Sequence, residues 1–89
     1  MIRRRIIVQG SVQGVGFRWA CQQEARRLGV HGSVFNRGDG GVEIVAEGAE
    51  PAVGAMVDWA HRGPRHAQVS TVDVTVEEPQ GAVGFQVTG

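Results

Sequence analysis

Lysine and tyrosine are absent from the 89 residues, cysteine occurs once, and there are three prolines and five aromatic side chains. Without lysine no Walker-type phosphate loop can be built, because that loop needs Gly-Lys-Ser/Thr. A lone cysteine, Cys21, excludes an internal disulfide and a zinc cage, and suits a reducing compartment. No apolar run approaches the roughly 20 residues of a membrane span, and the start Met-Ile-Arg-Arg-Arg-Ile-Ile-Val has no apolar stretch of signal-peptide length. A cytoplasmic protein without a membrane partner is therefore expected.

An excess of either charge is also missing. Nine arginines face three Asp and six Glu, for a formal net charge of zero, which excludes a general attraction to nucleic acid. The charges are uneven along the chain, however: residues 1–45 carry +4 and residues 46–89 carry −4. An anion should bind residues of the first half. The length is that of one domain, residues 1–89, with a small core and any site at its edge. A monomer is expected.

What is abundant is glycine, 14 residues placed as punctuation between apolar runs. Alternation of Ile6, Val8, Gly10 and Val12 with Arg5, Ile7, Gln9 and Ser11 predicts a strand over about 3–12. From Phe17 the period becomes helical, with Phe17, Cys21, Ala25 and Leu28 on one face and Gly29 as the stop. Strands follow at 30–36 and around Val42, Ile44 and Ala46, joined by the turn-forming Asn36-Arg37-Gly38-Asp39-Gly40-Gly41. Pro51 opens a second helix that closes at Gly63-Pro64. Val72, Val74 and Val76 mark a fourth strand, and Phe85-Gln86-Val87 suggests a short terminal one. The fold class is thus α+β, a ferredoxin-like βαββαβ sandwich with two helices on one face of an antiparallel sheet. That fold hosts enzymes and RNA binders alike and fixes no function.

The chemistry concentrates between the first strand and the first helix, at Gly10-Ser11-Val12-Gln13-Gly14-Val15-Gly16-Phe17-Arg18. Two glycines there let successive amides converge, the helix adds its positive end, and Arg18 adds a planar fork suited to two phosphate oxygens. A Rossmann fingerprint fails because Trp19 stands where glycine is required. On spacing alone, an anion site and a tight structural turn with a solvated arginine stand level.

The string Val12-Gln13-Gly14-Val15-Gly16-Phe17-Arg18, followed by Leu28-Gly29-Val30-His31-Gly32, Val34, Asn36-Arg37, Asp39-Gly40, Val42-Glu43, Gly48 and Gly63-Pro64, closely resembles the acylphosphatase family over nearly the whole chain. The resemblance implies hydrolysis of the carboxyl-phosphate bond of acyl phosphates, with no metal and no cofactor. It carries the family's two catalytic residues onto Arg18 and Asn36. The phosphate is expected against the amides of Gln13, Gly14, Val15, Gly16, Phe17 and Arg18, with inorganic phosphate or sulfate as competing anions. Ser33 and Phe35 depart from the common family pattern, as does Ser11, and are expected to alter surface or substrate contacts. The alternative is a non-enzymatic anion- or RNA-binding module, which only the basic first half supports.

The other candidates have plainer readings. His31, His61 and His66 lack metal-ligand spacing and are expected in surface or turn roles. Cys21 reads as a buried small hydrophobe, Arg3 to Arg5 as a solvated strand start, and Trp59 as packing at the rim of the second helix.

Overall fold

Alternation in the sequence sets the phase of the long strands in the computed structural model, which describes residues 1–89. The elements run β1 (Ile2–Ser11), α1 (Phe17–Leu28), β2 (His31–Asn36), β3 (Val42–Gly48), α2 (Glu50–Arg62), β4 (Gln68–Glu77) and β5 (Phe85–Thr88). The sheet order is β4-β1-β3-β2-β5. β1 pairs antiparallel with β3 and β4, and β2 pairs antiparallel with β3. The terminal β5 joins β2 in parallel, so the sheet is mixed at that edge rather than antiparallel throughout. A four-residue strand reached by a crossing segment has no hairpin turn to fix its direction.

Both helices end where glycine permits it. Gly29 takes a left-handed conformation after α1, with its N–H donating to Arg26 O and that of Val30 to Ala25 O. Gly63 closes α2 through an N–H bond to Trp59 O of 2.8 Å. The helices share one face of the sheet. Ile6, Val8, Val34, Val42, Ile44 and Ala46 point to that face and form one core with Phe17, Cys21 and Ala25 of α1 and Val53, Met56, Trp59 and Ala60 of α2. Burial pushes the Cys21 thiol well above its ordinary pKa, which keeps it a protonated, unreactive hydrophobe.

Trp59 is not at the rim. It is buried, with its ring centroid 5.1 Å from that of Phe17 at a 60° tilt, a pair worth about 0.5–1.5 kcal/mol beyond simple burial. Its position three residues after Met56 puts it on the buried face of α2.

The helix-free face carries the second correction, because Arg3 is buried and Arg5, though partly exposed, is ion-paired. Arg3 bonds Glu47 at 3.2 Å and Glu77 at 2.9 Å, while Arg5 pairs with Glu43 and Glu77. Glu47 is almost fully buried and also accepts the backbone N–H groups of Gln80, Gly81 and Ala82 at 2.7–2.9 Å, tethering the segment that leads into β5. These amides, with Arg3, hold the Glu47 carboxyl below the usual range, and Arg5 and Arg3 do the same for Glu77.

A pH dependence of stability follows. Both carboxyls have depressed pKa values in the folded state, so the unfolded chain takes up protons first as the pH falls. The stabilisation is complete above about pH 5 and is lost progressively below it. The urea midpoint is expected to be flat from pH 7 to about 5.5 and to fall steadily towards pH 3, with a shallower fall in Glu77→Gln. A midpoint unchanged at pH 3 would contradict this role of the outer face.

Candidate active site

The turn between β1 and α1 hangs from two buried apolar anchors, Val12 at one end and Phe17 at the other. Between them Gly14 and Gly16 have φ of 75° and 78°. A Cβ at either would meet nothing within 4 Å, so the requirement for glycine is conformational; the left-handed region would cost another residue about 1–2 kcal/mol. No amide from Gln13 to Trp19 donates a well-formed backbone hydrogen bond, and the first to do so is Ala20, to Gly16 O at 3.0 Å. Gly16 is the N-cap, no side chain caps α1, and no acidic residue stands in its first turn. The positive end of the helix is therefore left without a compensating charge.

Part of this turn and the first residues of α1 border a cavity of about 180 Å³ lined by Val12, Gly14, Gly16, Phe17, Arg18, Trp19 and Asn36. Arg18 and Asn36, 18 residues apart in the chain, are brought to one cavity because α1 starts, and β2 ends, at the same end of the sheet. The Arg18 guanidinium pairs with no Asp or Glu side chain; its Nη1 donates to the main-chain oxygen of Gly89 at 3.1 Å. The residue after β5 thus meets the arginine at the cavity.

Gln13 and Val15, expected against the phosphate, are not among the residues that line the cavity. Val15 packs against the core, and Gln13 turns to the β2–β3 hairpin, where Nε2 donates to Arg37 O and Gly41 O, both at 2.8 Å. Those carbonyls flank the ends of the hairpin, next to Asn36 and its cross-strand partner Val42. This tie was not readable from the sequence; a glutamine beside a glycine turn carries no signal of its target. The hairpin is braced further by Asp39, which accepts from Gln9 at 3.1 Å and from Gly41 N–H at 3.0 Å. Arg37, with these two donors, pulls the Asp39 carboxyl down to about 2. Arg37 also pairs with Glu43, linking the hairpin to the charged outer face.

The histidines lie elsewhere. His31 lines a second cavity, of about 420 Å³, together with Arg26, Gly84, Phe85 and Gln86, and its Nδ1 accepts the Gly84 N–H at 2.8 Å. No group of three or more His, Cys, Asp or Glu side chains is arranged to hold a metal ion. No helix is long and apolar enough to cross a membrane.

The chain matches the family model described as Acylphosphatase over residues 4–87. It is 52% identical over 88 residues to an acylphosphatase of Thermococcus kodakarensis, covering 99% of this chain and 97% of that one. The crystal structure of acylphosphatase from Bacillus subtilis superposes with a TM-score of 0.96 at 41% identity, covering 100% of both chains. The structure of an acylphosphatase from Coxiella burnetii gives 0.94 at 32% identity, covering 98% of this chain and 92% of that one.

Proposed function

We propose, on the premise that the chain belongs to the acylphosphatase family and is an enzyme hydrolysing acyl phosphates, that Arg18 binds the phosphoryl group and Asn36 orients the attacking water. The observation that carries this reading is the joining of Arg18, Asn36 and the unpaired amides of the glycine turn at one cavity.

An acyl phosphate is a mixed anhydride, and its leaving group is a carboxylate, the conjugate base of an acid with a pKa of about 4–5 by analogy with side-chain carboxyls. No general acid is needed to expel it. Phosphoryl transfer proceeds through a loose transition state with charge on the equatorial oxygens, so the enzyme's task is positioning and electrostatic stabilisation. The amides from Gln13 to Arg18 and the Arg18 fork supply fixed positive potential where that charge sits. Asn36 can accept from and donate to one water, holding it in line with the departing oxygen. The water oxygen bonds to phosphorus, the bond from phosphorus to the carboxyl oxygen breaks with its electron pair, and a phosphate oxygen takes the water's proton. An amide is too weak a base for that last step.

The proposed reaction uses no metal ion, since the turn and Arg18 occupy the charge-neutralising role. Arg3 and Arg5, which gave the RNA-binding alternative part of its support, are engaged by Glu43, Glu47 and Glu77. A single-domain monomer in the cytoplasm fits a site assembled from one chain and a lone buried cysteine. Steady-state hydrolysis of an aryl acyl phosphate is the test: a chelator should leave the rate unchanged, and inorganic phosphate or sulfate should inhibit competitively. Loss of activity in chelator, restored by a divalent ion, would overturn the metal-free reaction.

A further inference from the structure

We infer that Trp19 is the platform on which the acyl half of the substrate lies, so that the site favours acyl phosphates with a flat, aromatic acyl group over those with a small aliphatic one. The inference rests on reading the cavity as the phosphoryl site and adds the class of substrate it takes.

Trp19 is 68% exposed, whereas Phe17, Phe85 and Trp59 are buried and Phe35 is half-buried. A single exposed apolar side chain is ordinary, and Val76 and Val83 are more open still; what sets Trp19 apart is its place. It sits beside Arg18 on the first turn of α1 and lines the same cavity. Side chains on a helix lean towards its N-terminus, so residue 19 tilts back over the turn that holds the free amides.

The remaining walls offer an acyl group little. Gly14 and Gly16 have no side chains, Arg18 and Asn36 are polar, and the side chains of Val12 and Phe17 are committed to the core. At about 180 Å³ the cavity is smaller than the usual small-molecule pocket of about 300–1,000 Å³. A phosphoryl group fits within it, while a ring joined through the carboxyl must lie at the mouth. The indole is the apolar surface available there, and offset stacking on its face suits a planar ring.

The test compares kcat/KM for benzoyl phosphate with that for acetyl phosphate in the unaltered protein, Trp19→Ala and Trp19→Phe, alongside the Ki of inorganic phosphate. In Trp19→Ala the benzoyl-to-acetyl ratio is expected to fall about 10-fold, the size of one lost aromatic stacking contact. The phosphate Ki should not move, and Trp19→Phe should recover most of the ratio. An unchanged ratio in Trp19→Ala overturns the platform, as does a phosphate Ki that shifts as far as the ratio does, because Trp19 would then be shaping the phosphate turn. Failure of phosphate to compete in the unaltered protein overturns the phosphoryl site itself, and the platform with it.

Discussion

Arg18→Ala is expected to lower kcat/KM by about 10³- to 10⁵-fold, the range found when an arginine that stabilises a phosphoryl-transfer transition state is removed. Arg18→Lys is the more telling change, with an expected loss of at least about 100-fold although the charge is kept. The guanidinium presents a rigid, planar set of donors that can meet two phosphate oxygens at once and press the group against the turn amides. A lysine ammonium is a point charge on a flexible stem. The native arginine is also held in place, through its Nη1 bond to Gly89 O at 3.1 Å, in a geometry lysine cannot reproduce with the same atoms. Both variants should fold normally, since Arg18 is only half-buried and lies outside the core. Steady-state kinetics with matched far-UV circular dichroism decides the matter. Near-normal activity in Arg18→Lys would mean that charge at a distance, not planar geometry, is what the site uses.

Asn36→Ala is expected to lower kcat by about 10²- to 10³-fold while leaving inhibition by inorganic phosphate nearly unchanged. An amide that orients the nucleophile acts on the water and not on the bound anion, so the loss falls on the chemical step. The position of Asn36 at the end of β2, paired with Val42, makes it part of the hairpin, yet its backbone pairing survives the change to alanine. The bonds from Gln13 Nε2 to Arg37 O and Gly41 O do not involve the Asn36 side chain and persist. A variant that kept kcat but lost phosphate binding would reassign Asn36 to the anion rather than to the water.

The contrast between the two residues reflects what each is built on. Arg18 stands on a helix whose first residue, Phe17, is locked by Trp59, and Asn36 stands on a strand whose neighbours in the sheet are β3 and β5. Two elements of regular structure thus meet at the cavity, and the turn between β1 and α1 is held by Val12, Phe17 and the Gln13 tie. Loss of alignment by even about 1 Å can cost on the order of 100-fold in the proposed reaction, which is why the supports would matter as much as Arg18 and Asn36 themselves.

Much of this was legible in the sequence because it depends on local pattern. The two-residue period through Ile6 and Val8 marked β1, the change of period at Phe17 marked α1 to its first residue, and Gly29 marked its end. The glycine spacing at 14 and 16 announced the turn, and the family resemblance singled out Arg18 and Asn36, two residues that line one cavity. What escaped depends on partners distant in the chain. Arg3 and Arg5 looked solvated because Glu43, Glu47 and Glu77 lie 38 to 74 residues away and meet them only through the register of β1 with β3 and β4. The parallel docking of β5 depends on the Gly84 contacts, with its O accepting from Gly32 N–H and its N–H donating to His31, and no turn residue encodes that choice. The burial of Trp59 escaped for a related reason: its partner Phe17 is on the other helix, and helical period gives a face but not the neighbour across it.

One measurement addresses the proposed attack on phosphorus by a water aligned at Asn36. Benzoyl phosphate is hydrolysed to completion in ¹⁸O-enriched water and both products are analysed by mass spectrometry. Attack at phosphorus within the turn puts a single heavy oxygen in the inorganic phosphate and none in the benzoate. Heavy oxygen in the benzoate would mean attack at the carbonyl carbon, and would contradict a reaction in which the glycine turn and Arg18 hold the phosphoryl group while Asn36 aligns the water.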